Sequence, residues 1–122
     1  MSRSFFASKH ENLRNDYSDG SGVYVDSCTL VAIDIATILS SEGADPRIKV
    51  LRGEVVDSIG NRAALVPLPY DGRVTWGAHV ICQAAGIVYD PMLPRPLPTE
   101  DYFIAAFDQP VDIEDHTHIL NQ

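Results

Sequence analysis

The sequence predicts an α+β fold, and three observations carry that prediction. One long apolar run repeats at helical spacing, the runs after it alternate and are cut by turn residues, and a short helix-like segment follows near the end. From Thr29 to Ser41 the residues Leu30, Val31, Ile33, Ile35, Ala36, Ile38 and Leu39 cover most of a helix. Asp34, Thr37 and Ser41 are left on one narrow polar face. Asp26 or Ser27 can cap its start, and Gly43 suits the left-handed residue after its end. So many β-branched residues make a weak helix in isolation, so burial must hold it. The expectation is a buried N-terminal helix, with Cys28 in its first turn, packed on a small antiparallel sheet.

The strands come next. Arg47 to Asp57 alternates as a half-exposed strand does, and Ser58 to Arg62 is a turn. Arg62 to Leu68 reads as a second strand and Pro69 to Arg73 as another turn. Val74 to Ala84 and Gly86 to Asp90 form two strands joined at Ala85-Gly86. Pro91 to Pro98 is extended, because each residue before a proline is pushed away from helix. Thr99 is placed to cap a short helix reaching Phe107, with Tyr102 and Phe103 packing that helix against the sheet. Residues 1–20 form a polar lead-in, partly helical around His10 to Asn15, and 108–122 form an acidic tail that reads as loop. No internal repeat occurs, and 1–122 is expected to form one domain.

Composition narrows the function classes. A formal charge of −8 with only 9 Lys plus Arg argues against nucleic acid, since a phosphate backbone rewards basic patches. No apolar run approaches the ~20 residues of a membrane span, and the opening residues lack a secretory h-region. The expectation is therefore a chain that works in the cytoplasm or is delivered as an effector, without a membrane partner. Two cysteines, Cys28 and Cys82, are too few for a disulfide scaffold. Oligomeric state is not legible.

Cys28, His79 and Asp90 carry the chemistry. At a helix start, free N–H groups and the helix dipole favour a thiolate, and the same N–H groups can donate to an oxyanion forming beside the sulfur. A thiol nucleophile needs a base and an acceptor to orient that base. If Ala85-Gly86 is a two-residue turn, Cys82 pairs with Tyr89 and Ile81 with Asp90, so Asp90 shares a face with His79. Cys82 then lies on the other face, which disfavours it as nucleophile. Each residue alone also has a structural reading: a buried Cys as a small core residue, a strand His as packing, Asp-Pro as a strand-ending turn. Their chain order is what selects catalysis. His116 and His118, with Glu114 and Asp115, could hold a metal, but such a tail pair usually faces water, and no metal or cofactor is expected.

Cys before a core helix, His opening a strand and Asp-Pro closing the next resembles the plan of papain-like and transglutaminase-like cysteine enzymes. The run from Trp76 to Phe103, WGAHVICQ…GIVYDPMLPRPLPTEDYF, is most similar to protein N-terminal glutamine amidohydrolases and related bacterial glutamine deamidase effectors. They share a Trp three residues before the His, a Tyr-Asp after the hairpin, a Leu-Pro-x-Pro stretch and a Tyr on the next helix. The resemblance implies Cys28 as nucleophile, His79 as base and Asp90 as orienting carboxylate. Trp76 would wall the substrate cleft, with Ser27 and Asp26 as further substrate-binding residues. It implies hydrolysis of a Gln side-chain amide on a protein or peptide through a thioester. The chain lacks the Cys-rich surround of those amidohydrolases, so recognition of a substrate α-amine is not carried over. Proteolysis or acyl transfer by the same triad is the first alternative; a non-catalytic binding module with Cys28 and His79 in its core is the second.

Overall fold

The computed structural model describes residues 28–121. The expected lead-in, the helical reading around His10 to Asn15, and Asp26 and Ser27 as caps or substrate contacts all lie outside the described residues. In chain order the elements are α1 (Cys28–Ser41), β1 (Arg47–Gly53), a 3-10 turn (Leu68–Tyr70), β2 (His79–Ala84), β3 (Ile87–Tyr89), β4 (Leu97–Pro98), α2 (Thr99–Ala106), β5 (Val111–Asp115) and a second 3-10 turn (Thr117–Asn121). The strands make one sheet in the order β4-β3-β2-β1-β5, antiparallel at every pairing. The fold is α+β, with α1 packed on a small antiparallel sheet.

Alternation sends successive side chains to opposite faces, so the sheet carries two cores. Val31, Ala32, Ile35, Ala36 and Leu39 of α1 pack on Ile48, Cys82 and Ala84. On the other face Leu51, Ile81 and Val88 meet Leu65, Tyr70, Met92, Leu93, Phe107 and, from α2, Tyr102 and Ala106. The helix α1 is one-sided rather than fully enclosed: Leu30 is 61% exposed and Asp34, Thr37, Ser40 and Ser41 face outward. Its end is as expected, with Gly43 at φ 83°. That backbone conformation is open to glycine and costly for residues with a Cβ.

The hairpin that orients the site has the register the sequence predicts. Cys82 pairs with Tyr89, Gln83 with Val88 and Ala84 with Ile87. Ala85 and Gly86 both take positive φ, 52° and 78°. This is the twist of a two-residue I′ turn, which matches the twist of the flanking strands.

Four expectations need correction. Residues 62–68 are not a strand but touch neighbours only through single bridges, Val55–Arg62, Leu65–Trp76 and Pro67–Phe107. Pro67 and Pro69 lack the N–H a ladder needs. The strand expected from Val74 begins only at His79, with Trp76 bridged to Leu65. Thr99 does not cap α2: its hydroxyl donates to Gly86 O at 3.1 Å and accepts from Gln83 Nε2 at 2.7 Å, tying the helix start to the hairpin. The acidic tail contains a strand. β5 lines up beside β1 with Arg52–Glu114 at 2.7 Å, and Arg47 and Lys49 both on Asp115 at 2.9 and 3.1 Å. Arg62 adds Asp112 at 2.8 Å. Acids that read as solvent-seeking are cross-strand partners of the bases on β1.

Candidate active site

His79 opens β2 and Cys28 opens α1, so two elements packed against each other bring their first residues together at one end of the sheet. The sulfur of Cys28, half-buried, lies with His79 and Val80 around one crevice, and the His79 ring and the Val80 N–H both act on it. The second influence follows from where the ladder stops. The β2–β3 ladder ends at the Cys82–Tyr89 pair, and beyond it the chain turns off with Leu93 N–H donating to Asp90 O at 3.0 Å. Val80 N–H, past the end of the β2–β3 ladder, acts on the thiol.

His79 is 1% exposed and Asp90 4%. His79 Nε2 lies 2.8 Å from Asp90 Oδ2, which leaves Nδ1 to face Cys28. The carboxylate is held at both oxygens. Tyr102 Oη donates to Oδ2 at 2.7 Å, and Met92 N–H donates to Oδ1 at 3.0 Å, an Asx turn beginning at Asp90. The Trp76 indole stacks on the imidazole, and the Phe107 ring stands edge-on to it at 6.5 Å. His79 is thus fixed in its plane by hydrogen bonds and across its plane by aromatic rings.

The electrostatics follow from burial opposed by charge. Burial alone would push the Cys28 thiol up. The His79 hydrogen bond and charge, with Val80 N–H, outweigh it and hold the thiol below its ordinary value. Burial alone would push His79 down, but the charge and hydrogen bond of Asp90, then Cys28, raise it to about 9. Burial works against the Asp90 carboxylate as well, and His79, Tyr102 and Met92 N–H more than offset it, holding that group below the usual carboxylate range. A lowered thiol beside a raised imidazole favours passage of the thiol proton toward the ring. Cys82 has no such company: burial pushes it up to about 12.

Behind the sulfur, Val31, Ala32 and Ile35 face Val80, Tyr89 and Pro91 across an apolar crevice of about 10 Å³. That is room for one water at most. The crevice is therefore too small for a larger molecule. Comparison with protein-family models, with curated proteins and with solved structures finds no match to this chain.

Of the residues singled out in the sequence, Cys28, His79, Asp90 and Trp76 come together. Trp76 stacks on the base itself. Tyr102 escaped the sequence reading, which gave it a packing role. The signal was available in chemistry: a tyrosine buried in a core needs an acceptor for its hydroxyl. The Val80 and Met92 amides are backbone donors, with no sequence signature. No described helix is long and apolar enough to cross a membrane. Among the described residues, no group of three or more His, Cys, Asp or Glu side chains is placed to hold a metal ion. His116 Nε2 rests 3.4 Å from Glu114 instead.

Proposed function

We propose that this chain is a cysteine-dependent amidohydrolase of the papain-like or transglutaminase-like class, acting as a glutamine deamidase on a protein or peptide. The observation that supports it best is the unbroken chain of contacts from Cys28 through His79 to Asp90, with the thiol lowered and the imidazole raised. In this reading the Cys28 thiolate attacks the carbon of a side-chain amide, and the carbonyl electrons move onto oxygen. His79, as imidazolium, gives its Nδ1 proton to the departing nitrogen. Ammonia leaves as the C–N bond breaks and a thioester remains on Cys28. Neutral His79 then takes a proton from water, the hydroxide attacks the thioester, and collapse frees the glutamate product and the thiolate. Asp90 holds the ring in the orientation that both proton transfers need.

Glutamine peptides, free and blocked at the amino terminus, are the direct test. Deamidation releases ammonia and adds about 1 Da to the substrate, because OH replaces NH₂. Peptide fragments would assign the same triad to proteolysis. Cys28→Ala and His79→Ala should lose activity to a similar extent, since residues that act as one unit are not additive. Activity retained in Cys28→Ala would refute the reading.

A further inference from the structure

We propose that Tyr102 is a positioning and tuning residue of this site: by donating to the Asp90 oxygen that His79 also uses, it draws off part of that oxygen's charge and keeps the imidazolium acidic enough to surrender its proton. The proposal rests on the Cys28–His79–Asp90 reading above. Its basis is geometry. Tyr102 Oη and His79 Nε2 approach the same atom, Asp90 Oδ2, at 2.7 and 2.8 Å, while Met92 N–H occupies Oδ1. Tyr102 is 0% exposed, so its hydroxyl is a fixed donor shielded from water.

Two donors on one oxygen compete. Each stabilises the carboxylate, and each weakens the pull left for the other. Among the described residues, the ionisable groups acting on this carboxylate are His79 from β2, Tyr102 from α2 and, beyond the ring, Cys28 from α1. Its remaining donor is the neutral Met92 amide, and the rings against His79, Trp76 and Phe107, are uncharged. Removing the Tyr102 donor therefore concentrates the charge of Oδ2 on His79. The imidazolium is held more tightly and becomes a poorer acid toward the leaving nitrogen. A merely structural tyrosine would predict no such direction, because phenylalanine fills the same space.

The chain has a single tryptophan, Trp76, and it is stacked on His79, so its emission is a built-in reporter of the imidazolium. Tyr102→Phe and the unmodified protein are titrated from pH 5 to 11 by Trp76 fluorescence, alongside the pH profile of Cys28 alkylation by iodoacetamide. The proposal expects the fluorescence midpoint of Tyr102→Phe to rise by about half to one pH unit. With a glutamine peptide, kcat falls several-fold while KM holds. A second protein carries 3-fluorotyrosine at residue 102, a stronger donor of nearly unchanged shape, and its midpoint moves down. Opposite movements in the two proteins support the proposal even where Tyr102→Phe is less stable. A midpoint unmoved in both, or moved down in Tyr102→Phe, overturns it. Should unmodified Cys28 prove unreactive at mildly acidic pH, with no Trp76 titration, the triad reading itself falls and takes this proposal with it.

Discussion

The indole of Trp76 lies flat on the imidazole of His79, ring centroids 4.4 Å apart and planes 15° from parallel. An aromatic face attracts a cation by about 0.5–2 kcal/mol, more when water is excluded. His79 is buried, and among the described residues Asp90 and Cys28 are the ionisable groups that favour its charged form. Trp76→Leu should therefore lower the His79 titration from about 9 by up to roughly one pH unit, at ~1.4 kcal/mol per unit. Trp76→Phe should fall between. NMR of the His79 ring reads the change directly; an unmoved titration in Trp76→Leu would reduce the indole to a cover over the ring.

The two cysteines should differ sharply. Cys28 is lowered by His79 and Val80 N–H, whereas burial pushes Cys82 up to about 12. In the folded protein at pH 5.5–6, iodoacetamide should modify Cys28 and leave Cys82 untouched, because the thiolate is the reacting species. Denaturant should expose both at ordinary rates. Mass spectrometry of the labelled peptides checks it, and equal inertness would favour a non-catalytic core cysteine.

The pH dependence of stability has a sign that can be worked out. His79 is raised in the fold, so its contribution is full below the unfolded value of about 6.5 and is lost as pH rises through about 9. Cys28 is lowered, so its contribution is present above the unfolded value of about 8.5 and is lost as pH falls through its folded value. Where these two ranges overlap the slopes oppose each other, because the fold keeps a proton on His79 that the unfolded chain gives up and releases one from Cys28 that the unfolded chain keeps. The unmodified protein should be nearly flat there. Cys28→Ala, left with the Asp90-held His79, should lose stability steadily across that window. Urea midpoints at pH 6, 7, 8 and 9 decide it; parallel profiles for the two proteins would contradict the ion pair.

How much of this was legible follows the range of the interaction. The His79–Asp90 pairing could be read because both residues lie on one hairpin, and alternation across a two-residue turn fixes which side chains share a face. The contact with Cys28 spans some fifty positions and could be inferred only from chemistry, not from pattern. β5 was illegible for the same reason. Asp112, Glu114 and Asp115 look like a solvated tail until Arg47, Lys49, Arg52 and Arg62 are set opposite them, and nothing local specifies that pairing. Residues 62–68 misled in the other direction, since their apolar pattern is strand-like while Pro67 and Pro69 forbid a continuous ladder. Tyr102 was read correctly as core, and the core reading hid the hydroxyl.

Gly53 carries a prediction that is purely steric. A Cβ at this position would collide with Ala63 O and lie 2.8 Å from the Ala63 carbonyl carbon, both backbone atoms. The close approach lets Ala63 N–H reach Glu54 O at 3.1 Å and lets Arg62 Nη1 donate to Gly53 O at 2.9 Å. Gly53→Ala must push that crossing segment off β1 and should cost roughly 3 kcal/mol or more. Gly77→Ala, where a Cβ meets nothing within 4 Å, is the control and should be nearly neutral. Equal urea midpoints for the two variants would refute the steric account.

Asp90→Asn separates charge from shape. The amide fits where the carboxylate sits and keeps an oxygen for Tyr102 Oη or Met92 N–H, yet it removes the charge that first offsets burial of the His79 cation. Burial then acts on the ring with little opposition, and His79 should titrate well below about 9. Without an imidazolium beside it, Cys28 loses the partner that lowers it, so its own burial pushes it upward. The pair should revert to thiol and neutral imidazole at pH 6. Alkylation of Cys28 at that pH should drop at least about tenfold, the rate change of a one-unit rise in a titrating thiol. Raising the pH toward 10 should restore the alkylation rate while leaving the proposed deamidation slow, because thiolate returns but the proton donor for the leaving nitrogen in that proposal does not. Recovery of both together would show that Asp90 acts on Cys28 alone and not through the acid–base work of His79.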